Sequence, residues 1–146
     1  MLAGGPTFPL HQADIMHPDL KNLPAWTDHY FLRTKQAVEK FGDQRVMYAV
    51  FMRRPVVSAP RLAVEWLQGI AKARNTSFDI QVNYAEGRWV GAGEPILYIS
   101  GSFAALADPE TVFLMKLGPA CVAAFNAFTM CAELPQAEFL AMDARH

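Results

Sequence analysis

The chain has 146 residues, of which 52% are hydrophobic and 12% aromatic, and its formal net charge is −1. That length supports one domain with a real core, and the apolar fraction excludes a disordered chain. The near-neutral charge leaves no basic footprint for nucleic acid or an anionic membrane, although a small anion needs only a few well-placed arginines.

Residues 1–24 hold two glycines, four prolines and two of the four histidines without a sustained period, and they read as an irregular N-terminal arm. His11 and His17, with Asp14 and Asp19 nearby, match no ligand motif, so no metal is expected there. No basic-then-apolar leader opens the sequence, which leads to the expectation of a cytoplasmic protein.

The first helix follows Pro24, with Thr27 or Asp28 as its N-cap. Tyr30, Thr34, Ala37, Val38 and Phe41 then share one face of a 3.6-residue period, and Gly42 is a natural terminator. Arg33 lies one turn from Tyr30 at the border of that apolar stripe, where a guanidinium normally wants water or an anion. Spacing alone describes a capped amphipathic helix with a snorkelling Arg33.

Residues 45–52 read as a buried strand, apolar on both faces. Arg53 and Arg54 end it; paired arginines can bind phosphate, but a charged strand end is the commoner explanation. Pro60 starts a helix through Lys72, with Leu62, Trp66, Ile70 and Ala73 on or near its inner face. Residues 77–84 alternate as a half-buried strand. In the glycine-rich stretch 86–101, a short strand is expected around Trp89 and a firm one over 96–99. The stretch lacks the Gly-x-x-x-x-Gly-Lys-Ser/Thr pattern, and a strand follows where a phosphate loop needs a helix. Its glycines are structural.

Asp108, Pro109 and Glu110 spell a helix start: N-cap, first helical position and acidic first turn. Glu110 could be catalytic in principle, but that position explains it adequately. The helix should stop at Gly118, and Pro119 should open a second one, whose few polar residues before Pro135 imply burial on most sides. Residues 112–131 therefore read as two buried helices and not as a membrane span. Cys121 and Cys131 lie about 15 Å apart along a helix at 1.5 Å per residue, too far for a disulfide, and both are expected to be buried free thiols. A last strand over 137–142 leads into Asp143-Ala144-Arg145-His146.

The run Thr27-Asp28-His29-Tyr30-Phe31-Leu32-Arg33-Thr34, read with Ala141-Met142-Asp143-Ala144-Arg145-His146, resembles the nicotinate phosphoribosyltransferase family. The family's own run is close to Ser/Thr-Asp-x-Tyr-Phe-x-Arg-Thr, and the likeness covers about residues 25–146. It implies an α+β fold: the hammerhead-like N-terminal domain of a type II phosphoribosyltransferase with its linking helices over 25–134, then the first strand of an α/β barrel over 135–146. The implied reaction joins nicotinate to 5-phosphoribosyl 1-diphosphate, giving nicotinate mononucleotide and diphosphate in NAD biosynthesis, with Mg²⁺ and ATP as cofactors and a homodimer with shared active sites.

On this resemblance Tyr30 stacks on the pyridine ring in the neighbouring subunit's site. Arg33 assists at its anionic end, Asp28 orients its neighbours, and Thr34 matches the family's substrate-binding run. Arg145 matches a substrate-contacting, catalytic arginine, while His146 stands in place of a second arginine and Asp143 where glycine is frequent. The remaining phosphate and metal contacts are expected on later barrel strands, so the isolated chain is expected to be inactive. The alternatives are a quinolinate-type or other phosphoribosyltransferase fragment, or a non-catalytic dimerisation or binding module.

Overall fold

The computed structural model of the chain describes residues 22–140. Three strands, β1 (Arg45–Phe51), β3 (Asp79–Val82) and β5 (Pro95–Ser102), form an antiparallel sheet in the order β1–β5–β3. Two shorter ones, β2 (Val56–Val57) and β4 (Trp89–Val90), pair as a separate antiparallel ribbon. The helices are α1 (Leu23–Trp26), α2 (His29–Phe41), α3 (Arg61–Ala73), α4 (Phe103–Ala107) and α5 (Glu110–Glu133). The class is α+β, as expected.

Register decides which side of the sheet is the core. Tyr48 faces Ile99 and Val50 faces Leu97 across β1 and β5, while Ile80 and Val82 face the same two residues from β3. Facing residues share a side of the sheet, so these six form one apolar surface, and Leu97 and Ile99 are fully buried in it. The opposite face is open. Met47 is 69% exposed and Phe51 is exposed too, which corrects the expectation of a strand buried on both faces. Among the described residues the helices cover one side, and β1 pairs only with β5. Gly101 in β5 is needed for close packing, because an added Cβ would lie 2.7 Å from Phe78 Cδ1.

Helix α3 buries Ala63, Trp66, Leu67, Ile70 and Ala71, spaced i, i+3, i+4, i+7, i+8. That stripe is rotated from the expected one: Trp66 and Ile70 hold their places, but Leu62 is 55% exposed and Ala73 is exposed. Helix α5 packs on α3 and on β2 through Phe113, Leu117 and Cys121, one stripe at four-residue intervals.

Here the structure overturns the expected break at Gly118. Glu110–Glu133 is one continuous helix with Pro119 inside it. An internal proline costs roughly 3 kcal/mol. Phe113 and Leu117 lie before Pro119 and are buried either way, but beyond it Cys121 is fully buried and Phe125 and Phe128 meet the Trp89 ring, at about 0.5–1.5 kcal/mol per aromatic pair. Burial wins. Beyond Cys121 the helix is largely uncovered: Val122, Phe128 and Met130 are half exposed, and Cys131 is exposed where a buried thiol was expected. By length and composition this helix could cross a membrane; the structure shows it packed along one stripe only.

Asp108 is the C-cap residue of α4 and not the N-cap of α5. The N-cap of α5 is Pro109, without a side-chain cap, and the Asp108 carboxylate instead receives both Arg74 guanidinium nitrogens, at 2.7 and 2.6 Å, and Lys35 Nζ at 3.2 Å. The Thr27 hydroxyl lies 2.7 Å from the Asp108 carbonyl and 2.8 Å from that of Leu23. This cluster ties α1, α2 and α3 to the junction of α4 and α5. Residues 137–140 form no strand; the rest of the expected 137–142 strand, with Arg145 and His146, lies outside the described residues. So do residues 1–21 of the expected arm, whereas Leu23 is in the core.

Candidate functional site

The expected site residues sit on the first turns of α2. Asp28 is the N-cap, its Oδ1 accepting from the Tyr30 amide at 3.1 Å while its own amide donates to Thr111 Oγ1 at 3.1 Å. The cap therefore fixes the start of α2 against the start of α5. Tyr30 projects outward, 67% exposed, with its ring edge-to-face on Phe31 at 5.2 Å. Arg33 is exposed and forms no ion pair among the described residues. The Thr34 hydroxyl donates back to the Tyr30 carbonyl at 3.1 Å, so its hydrogen is engaged within the helix. Asp28, Tyr30 and Arg33 thus form an outward-facing, helix-anchored set. Arg145 and His146 fall beyond the described residues and cannot be set beside them.

Between α2, the unpaired edge of β1 and the start of α5 lies a cavity of about 690 Å³. Tyr30, Phe31 and Thr34 wall it from α2; Val50, Leu67, Ile99 and Phe113 make an apolar floor; Arg53 stands at the end of β1. Two titratable groups meet inside it. The Tyr48 phenol lies beside the Glu110 carboxylate, and both residues are half-buried. Burial raises the Glu110 carboxyl above the ordinary glutamate range, with the Tyr48 bond pulling the other way. Burial, and then the charge of Glu110, push the Tyr48 phenol well above the usual tyrosine range.

Sequence reading did not select Tyr48. Its one available signal was a phenol at an inward position of an otherwise apolar strand. Glu110 was considered and assigned to the helix start, which is where it lies; its position in the cavity depends on β1, 62 residues earlier in the chain and supplying Tyr48.

Among solved structures, the nicotinate-nucleotide pyrophosphorylase from Pyrococcus furiosus is similar at 28% identity and a TM-score of 0.53, over 68% of this chain and 26% of that one. This likeness supports the type II phosphoribosyltransferase group. It does so at a coarser level than the nicotinate phosphoribosyltransferase resemblance read from the sequence. The nicotinate-nucleotide pyrophosphorylase from Francisella tularensis aligns over 68% of this chain and 36% of that one, at 10% identity and a TM-score of 0.45, too distant to add weight. No family model and no curated protein matches the sequence. The chain spans about a quarter of the length of the Pyrococcus structure.

Proposed function

We propose that this chain contributes to a phosphoribosyltransferase of NAD biosynthesis, one that joins a pyridine carboxylate to 5-phosphoribosyl 1-diphosphate and releases diphosphate. The observation that carries the reading is the likeness to the Pyrococcus pyrophosphorylase over two thirds of this chain. The exposed Asp28, Tyr30 and Arg33 set supports it, because a largely solvent-exposed ring and a guanidinium without an ion pair among the described residues can serve a site completed by another subunit. In this reading the acceptor is nicotinate, Tyr30 offers its ring face to the pyridine and Arg33 meets the anionic end. The 86–101 segment belongs to a hammerhead-type module, and the working enzyme is a cytoplasmic homodimer.

The chemistry is positional. The transition state is oxocarbenium-like, so rate comes from holding the pyridine nitrogen at C1′ and neutralising the departing diphosphate. Mg²⁺ would supply that neutralisation, and ATP hydrolysis would couple to it. The described residues contain no group of three or more His, Cys, Asp or Glu suited to a metal, so the metal contacts, like Arg145, belong outside the described part of this reading.

Quinolinate is the second acceptor to consider, because the structural likeness is to nicotinate-nucleotide pyrophosphorylases. Turnover with each acceptor, measured on the assembled enzyme, separates the two. Nicotinate as the better substrate supports the motif-based reading; quinolinate as the better one replaces it.

A further inference from the structure

We infer that the cavity floored by Tyr48 and Glu110 is a binding site for a flat organic cation, independent of phosphoribosyl transfer. Its volume of about 690 Å³ lies within the range of about 300–1,000 Å³ typical of small-molecule sites. Glu110 is half-buried, lies beside the Tyr48 phenol, and takes part in no ion pair among the described residues. A carboxylate so placed is poorly solvated and holds acceptor capacity that one hydroxyl does not fill.

The walls match a ring. Phe31 presents aromatic surface from α2 and Phe113 lies at the floor, so a planar cation gains apolar burial, ring contact and a charge-assisted hydrogen bond together. A pyridine carboxylate is a poor fit, since its anionic group would meet Glu110. Arg53 also lines the cavity, but it is exposed beyond the end of β1, where water and salt screen its charge, whereas Glu110 is half-buried.

The test uses the whole 146-residue chain, with benzamidine as the probe and benzoate as its anionic counterpart, followed by calorimetry and ligand-observed NMR. Benzamidine should bind saturably and benzoate should not. Glu110→Gln should weaken benzamidine at least tenfold with little change in melting temperature, and Glu65→Gln on α3 should leave it unchanged. Leu114→Trp, which fills the cavity from an exposed wall position, should abolish binding even if Glu110→Gln compromises folding. Equal binding of benzoate, benzamidine affinity unmoved by Glu110→Gln, or no saturable benzamidine binding would each overturn the proposal. So would a change of oligomeric state in Glu110→Gln, which would make a protein side chain the natural occupant.

Discussion

The Asp108 carboxylate is 4% exposed and lies under two cations where four helices converge. Burial alone would raise its pKa. The paired hydrogen bonds from Arg74 and the charge of Lys35 outweigh that and hold it below the ordinary aspartate value of 3.8. A depressed folded-state pKa stabilises the fold above the unfolded value, and that contribution is lost as pH falls through the folded one. Acid unfolding should therefore draw on Asp108 only below about pH 4. Asp108→Asn should cost about 3 kcal/mol by leaving Arg74 without its partner, and urea titrations from pH 3 to 7 should show a flatter acid limb than the native chain.

Tyr30 calls for a different measurement. With its ring largely in solvent, Tyr30→Ala should change stability by no more than about 0.5 kcal/mol. In the assembled enzyme it should weaken pyridine carboxylate binding roughly tenfold, from about 0.5–1.5 kcal/mol of lost stacking. A large drop in melting temperature with unchanged affinity would make Tyr30 a packing residue.

Helix α5 separates what patterning can reveal from what it cannot. Elements were legible in outline: α3 and the strands β1 and β5 lie where patterning placed them, and so does α2 with its Asp28 cap, although α2 fully buries none of its residues and Tyr30, Ala37 and Phe41 of its expected apolar face are exposed. The failures share a cause. Pro119 marks a local cost, but the gain beyond it comes from the burial of Cys121 and from Trp89 in β4 meeting Phe125 and Phe128, which no local window contains. The Asp108-Pro109-Glu110 start was read correctly as a helix start, yet Arg74 and Lys35 claim the carboxylate from 34 and 73 residues away. β1 looked buried on both faces because Met47, Ala49 and Phe51 are apolar, and composition cannot say whether a second layer covers them. The placement of Asp28, Tyr30, Arg33 and Thr34 at the start of α2 was legible; the Tyr48–Glu110 pair depends on two distant segments and was not. If burial overrides the proline, Pro119→Ala should stabilise the chain by about 1–2 kcal/mol, seen as a melting temperature higher by a few degrees. Destabilisation would mean that a proline-induced bend is itself required for packing.

At the scale of the whole molecule, one apolar sheet face and the C-terminal half of α5 stand open. Met47, Phe51, Val122, Phe128 and Met130 are all half exposed or more, and surfaces of this kind drive association. Sedimentation velocity should show concentration-dependent self-association, reduced when Val122 and Phe128 are replaced by Ser. A monodisperse monomer at high concentration would contradict a role for these faces in assembly. The proposed function, by contrast, places this chain in a pyridine carboxylate phosphoribosyltransferase whose phosphate-binding part lies in a barrel. Its most direct test is product formation from nicotinate or quinolinate and 5-phosphoribosyl 1-diphosphate, assayed for the chain alone and for the chain supplied with a type II phosphoribosyltransferase barrel. The account predicts no nucleotide from the chain alone and turnover, sensitive to Tyr30→Ala, once the barrel is present. Turnover by the chain alone, or a folded assembly that converts neither acid, would contradict it.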